Sequence, residues 1–155
     1  MRIPQLIAAL ALAAGAVAPA VAAAPAYAMA SSCVVTLYDI ELSNPREKDG
    51  TDELRFKVDG NWYPHNGHVT MSGTNWDRNP EHFDDPSMII RNTENKSFEL
   101  REMDPPIETG GQSLGNAWAH GHVCDDLSAG ETIEERSTLS SDKHDYTVWL
   151  RLTGQ

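Results

Sequence analysis

Two sets of side chains in this sequence could do chemistry. The first is a group of carboxylates in turn-rich segments: Asp49 and Asp52 within Asp49-Gly50-Thr51-Asp52-Glu53, and Asp104 at the end of Glu102-Met103-Asp104. Calcium takes about six to eight oxygen ligands, more than one loop usually offers, so acids on separate loops at one end of a domain are a common way to hold it. Asp49, Asp52 and Asp104 are therefore the candidate calcium ligands. The second set is histidine. His120 and His122 alternate just ahead of Cys124 and Asp125, so both imidazoles could share one strand face and chelate zinc or copper. A third ligand would have to come from His65, His68, His82 or His144, and nothing local supplies it.

Two further patterns imitate chemistry and fail on context. Gly111-Gln112-Ser113-Leu114-Gly115 fits the G-x-S-x-G signature, in which a strained strand-to-helix turn exposes a nucleophilic serine. No helical period follows Gly115, however, and glycines of this kind serve turns that need positive φ. Asn75, Asp77, Asn79 and Glu81 present oxygens at every second residue like an EF-hand loop, but Pro80 stands where glycine is needed and Pro86 where a bidentate glutamate is needed. No catalytic residue is assigned.

The elements that must position these groups read as strands. Residues 1–28 carry Arg2 and an apolar run, and two overlapping Ala-x-Ala sites, Ala26-Tyr27-Ala28 and Ala28-Met29-Ala30, close the pattern of a secretory signal peptide cleaved after Ala28 or Ala30. A single domain is expected over 31–155, secreted and extracellular. Leu, Ile, Val and Phe make up only 23 of the 127 residues that follow residue 28, about 18 %, a composition that alone would suggest disorder. Large rings offset the shortage: Trp62, Trp118 and Trp149 lie in or beside apolar runs and are expected in the core, with Trp76 covering one end of it. Cys33 and Cys124, an even pair in an exported chain, are expected to form one disulfide.

Alternating or short apolar runs at 33–42, 52–58, 69–71, 88–90, 98–103, 114–118, 131–137 and 146–152 predict about eight strands, hence an all-β antiparallel sandwich. On the first, Val34, Tyr38, Ile40 and Leu42 are expected on one face. On the second, Leu54, Phe56 and Val58 oppose Glu53, Arg55 and Lys57, and Asp59-Gly60 closes a hairpin. After the leader no further apolar stretch is long enough to span a membrane. A net charge of −11, from 12 Lys+Arg against 23 Asp+Glu, disfavours nucleic-acid binding, because no basic stripe interrupts the acids.

The order of a strand, an acid-glycine loop, "DELRFKVDGNW" and, much later, "FELREMD" followed by Leu114-Gly115 resembles a group of small secreted actinobacterial proteins of unknown function. It is also similar, more distantly, to the calcium- and lipid-binding sandwich domains of the synaptotagmin type. That likeness matches Asp52 to the aspartate after the first-loop glycine, Asp104 to an aspartate opening the third loop, and Leu114-Gly115 to the pair that closes it. Arg46 stands where a further first-loop aspartate would, and Gly110, Gly111 and Gln112 replace later carboxylates. The resemblance implies a calcium site in the acidic loops. A secreted, non-catalytic binding protein is the leading expectation, with an extracellular protein or carbohydrate as partner. A metal-binding protein or metalloenzyme using His120 and His122, and an inhibitor or toxin acting through one long loop, are the alternatives.

Overall fold

A computed structural model describes residues 29–73, 76–106 and 110–155, and among them the regular structure is strand, with no α-helix. Ten strands follow in order: β1 (Ser32–Asn44), β2 (Thr51–Val58), β3 (Asn61–Tyr63), β4 (Val69–Ser72), β5 (Trp76–Arg78), β6 (Ser87–Arg91), β7 (Asn95–Glu102), β8 (Gln112–His120), β9 (Thr132–Ser140) and β10 (Asp145–Gly154). Two short 3-10 turns interrupt them, Pro80–Phe83 and Gly121–Asp126. The strands form two antiparallel sheets. In one, β1 lies between β10 and the pair β5 and β6, with β9 beyond β10; in the other, β2 lies between β7 and the pair β3 and β4, with β8 beyond β7. The architecture is the expected all-β sandwich. The two extra strands, β3 and β5, are three residues each, too short to show a period of two in sequence.

Local chemistry explains the framework. Asp59 and Gly60 both take positive φ, +49° and +87°, the conformation that a two-residue hairpin turn demands between β2 and β3. Phe56 and Val58 of β2 pair with Leu100 and Phe98 of β7, Leu54 pairs with Glu102, and all three β2 residues are buried. They join Ile40, Leu42, Phe83, Tyr146, Val148 and Leu150 in one core shared by both sheets. Cys33 and Cys124 are bonded, tying the start of β1 to the second 3-10 turn across 91 residues.

Two expectations are corrected. The inward face of β1 changes phase. Cys33, Val35 and Leu37 point inward, then the register skips Tyr38, and Ile40 and Leu42 point inward after it. A β-bulge inserts one unpaired residue and so shifts the alternation, which leaves Val34 and Tyr38 on the outside. The tryptophans are also not core. Trp118 is 46 % exposed and Trp62 and Trp149 are half-buried. Each sits at the parity opposite its strand's core residues, with cationic side chains over Trp62 and Trp149: Arg136 lies 5.6 Å from the Trp149 ring. The three phenylalanines and Tyr146 fill the interior instead. The side chain of Trp76 lies outside the described residues.

Candidate functional site

Two core-facing stripes end in acids. On β2 the sequence Asp52, Leu54, Phe56, Val58 keeps one parity, and on β7 so does Phe98, Leu100, Glu102, so alternation drives the Asp52 and Glu102 carboxylates inward, where both are fully buried. Burying a carboxylate is costly unless it is paired or hydrogen-bonded, and the two acids meet that demand differently.

Asp52 is saturated with donors. Its Oδ2 accepts the backbone N–H of Arg46 at 2.7 Å and the hydroxyl of Tyr146; its Oδ1 accepts the N–H of Glu47 at 2.9 Å. One side chain thus shapes the connection 45–50 between β1 and β2. Tyr146 is held in its neutral form, since burial and then the adjacent Asp52 push the phenol far above its ordinary range.

Glu102 is only half satisfied. Its Oε2 accepts from the Arg46 guanidinium, which also donates to Gln112. Its Oε1 is buried and has no hydrogen-bond donor. One carboxylate oxygen each of Glu47, Glu53 and Glu102 lie within 4.8 Å of one another, so Glu102 belongs to a three-carboxylate cluster drawn from the first connection, β2 and the end of β7. Burial, and after it the approach of Glu47, push the Glu102 pKa up to about 7 against the pull of Arg46. Glu53 is raised too, by burial first and then by the negative charge of Glu47. Backbone contacts fix the cluster: Met103 N–H donates to the Glu53 carbonyl at 2.7 Å, and Gly111 approaches the Glu102 carbonyl so closely that a Cβ would stand 2.1 Å from its oxygen. Arg101 donates to the carbonyls of Gly110 and Gly111, which holds the far end of the following loop against β7. An open cleft of about 530 Å3 beside the cluster is lined by Arg46, Glu47, Lys48 and Lys143.

Chemically, three converging carboxylates with one undonated oxygen can keep a proton or take a hard cation. A metal suits the donor set, because calcium and similar ions are bound by carboxylate oxygen. Of the aspartates singled out from sequence, Asp52 adjoins Glu53 of the cluster and spends its hydrogen-bonding capacity on the loop backbone and on Tyr146. Asp104 is exposed and its charge raises the Glu102 pKa. Asp49 is exposed too, and accepts from the N–H and hydroxyl of Thr51, both at 3.0 Å. Sequence reasoning passes over the glutamates that converge. The signal that could find one of them is Glu102 itself, a charge at the inward parity of an otherwise apolar stripe.

The histidines are dispersed. His120 and His122 have ring centroids 5.8 Å apart, and His120 Nδ1 lies 3.0 Å from Glu135 Oε1. His65 contacts Asp84 at 3.1 Å, His82 Nδ1 lies 3.2 Å from the Asn79 carbonyl, and His144 is buried against the Leu114 carbonyl. Among the described residues no histidine joins a group of three potential metal ligands. Ser113 is exposed within β8, and the chain after it continues as strand to His120. Of the EF-hand-like residues, Asp77 lies on β5, Asn79 precedes a 3-10 turn and Glu81 lies within it, with Asn75 outside the described residues.

No protein-family model matches this chain, and no curated protein matches it. Among solved structures it is similar to a C2 domain of plant Extended Synaptotagmin 1, at 7 % identity and a TM-score of 0.47, over 81 % of this chain and 94 % of that one.

Proposed function

We propose that the protein is an exported binding domain whose loop end holds a calcium ion between Glu47, Glu53 and Glu102. The observation that carries this reading is that Glu102, whose buried Oε1 has no donor, belongs to a cluster with two further carboxylates. A divalent cation would neutralise the group and replace the proton that its raised pKa retains. Asp49 and Asp104 add negative potential from the rim, felt by Glu53 and Glu102 respectively, and stand as further oxygen donors. Asp52 orients Glu47 by holding its amide. The disulfide supports an oxidising, extracellular destination, and no helix among the described residues is long and apolar enough to cross a membrane.

The test is thermal unfolding with and without millimolar calcium. Binding to the folded state raises the midpoint by mass action, and Glu47→Gln with Glu53→Gln should remove the rise. A midpoint that calcium leaves unchanged would reject the site. A second reading, copper or zinc on His120 and His122, is favoured by the Glu135 carboxylate on His120 Nδ1, since such partners commonly orient a ligating imidazole. The same assay separates the two: a midpoint raised by copper or zinc and lost in His122→Ala supports it.

A further inference from the structure

Three positions set an asparagine or aspartate directly before a glycine: Asp49-Gly50, Asp59-Gly60 and Asn66-Gly67. At such a pair the glycine amide has no side chain to shield it and can approach the carbonyl carbon of the preceding side chain. The structure treats the three pairs differently. Asp49 Oδ1 accepts from the N–H and hydroxyl of Thr51, both at 3.0 Å, and the Gly50 N–H donates to the Glu47 carbonyl at 3.1 Å. Asp59 is ion-paired with Lys96 at 3.2 Å, and an ionised carboxylate is a poor electrophile.

Asn66-Gly67 is the open pair. Asn66 is exposed, and the connection 64–67 between β3 and β4 bends with no backbone–backbone hydrogen bond to close it among the described residues. The Gly67 N–H therefore has no partner there. Gly67 takes φ +69°, and nothing lies within 4 Å of the point where a Cβ would stand. Upstream the turn is pinned. The His65 N–H donates to Asp84 Oδ2 at 2.7 Å, and the buried Arg55 guanidinium donates to the carbonyls of Pro64 and His65 at 2.6 and 3.2 Å. No other asparagine precedes a glycine: Asn44 and Asn79 precede proline, which lacks the amide proton, and the rest precede residues that carry a side chain.

We infer that Asn66 is a self-modification site, cyclising with the Gly67 amide to a succinimide that water opens to aspartate or isoaspartate. The Gly67 nitrogen gives its proton to solvent base and bonds to Asn66 Cγ; the Cγ–Nδ2 bond breaks, and ammonia leaves with that proton equivalent. Water then adds to one ring carbonyl. Attack at Cγ restores the main chain and leaves aspartate, whereas attack at the backbone carbonyl carbon routes the main chain through Cβ and Cγ as isoaspartate. Ammonia out and water in balance the change, with no oxidant or cofactor. The isoaspartyl product inserts a main-chain carbon one residue after the His65 carbonyl, displacing the turn that holds Arg55. None of these residues belongs to the carboxylate cluster, so the inference does not rest on the calcium reading.

The test is incubation of the folded protein and of the urea-unfolded chain in mildly alkaline buffer, followed by peptide mass spectrometry and enzymatic isoaspartate labelling. A hydrogen-bonded turn would react only on local opening, so an open one should convert within roughly tenfold of the unfolded rate. Conversion at Asn66 at that rate, ahead of Asn61, Asn92 and Asn116 and abolished in Asn66→Gln, supports the inference. The converted protein should also unfold at a lower midpoint than freshly prepared protein, while Asn66→Gln incubated alike keeps its midpoint. Folded protein that retains Asn66, that converts more slowly than this bound, or that converts another asparagine first would overturn it. A fully converted protein with an unchanged midpoint would overturn the effect on the Arg55 turn.

Discussion

The hydroxyl of Tyr146, inside the core on β10, donates to the carboxylate of Asp52 on β2, which in turn receives the amides of Arg46 and Glu47. A residue in one sheet thereby sets the path of a surface connection leading into the other, and through it the position of Glu47. The buried phenol ties the loop end to the sandwich.

That linkage predicts unequal effects from two conservative changes. Tyr146→Phe removes one hydrogen bond to a charged group and should lower stability by about 1.5–3 kcal/mol. Asp52→Asn replaces an acceptor that serves three donors with an amide that presents its own N–H to them. It should cost at least as much and also weaken calcium binding, because the Glu47 amide loses its anchor. Urea unfolding gives the first quantity and calcium titration the second. A fully stable Asp52→Asn variant with unchanged calcium affinity would dismiss the positioning role.

The raised pKa of Glu102 makes stability depend on pH with a definite sign. Its ordinary value is 4.5 and its folded value about 7, so folding favours the protonated form. The contribution is complete below about pH 4.5 and is lost as pH rises through 7. Glu102→Gln keeps the acceptor for Arg46, carries no charge and adds an N–H for its neighbours. In metal-free buffer the variant's unfolding midpoint should gain on the parent's as pH goes from about 5 to about 8, while its response to calcium disappears. Calorimetry across that range is the check, and a difference that stays flat with pH would refute the assignment.

Much of the scaffold is legible in the sequence because it rests on period-two alternation. The hairpin at Asp59-Gly60, the inward stripe Leu54-Phe56-Val58 and the Cys33–Cys124 bond follow from residue types and parity alone. Alternation cannot reveal where it is interrupted, and the bulge at Tyr38 reverses the expected facing of Val34. Hydrophobic type also misleads for tryptophan. An indole can cover the outside of a sheet when cations stack on it, as Arg55 and Lys57 do on Trp62, so size and apolarity do not fix its side. The carboxylate cluster is half visible. The segments that hold Glu53 and Glu102 stand out as acidic, but their aspartates draw the eye before their glutamates, and only the fold shows that Glu47 reaches Glu102.

The amino terminus carries its own prediction. Ala30 is buried, its N–H donates to the Leu127 carbonyl at 2.8 Å, and Met29 bridges Ser128. Cleavage after Ala28 keeps these contacts, and cleavage after Ala30 discards them. The exported product is therefore expected to begin at Met29, by intact mass. A product beginning at Ser31 with an unchanged unfolding midpoint would show that the contacts are dispensable.

The most direct test of the central claim is a crystal grown or soaked in calcium and measured for anomalous scattering. The account predicts a peak bounded by Glu47, Glu53 and Glu102, with Glu102 Oε1 at about 2.3–2.6 Å from the ion. An ordered, well-diffracting crystal with no peak there, or with calcium seated on other residues, would contradict it.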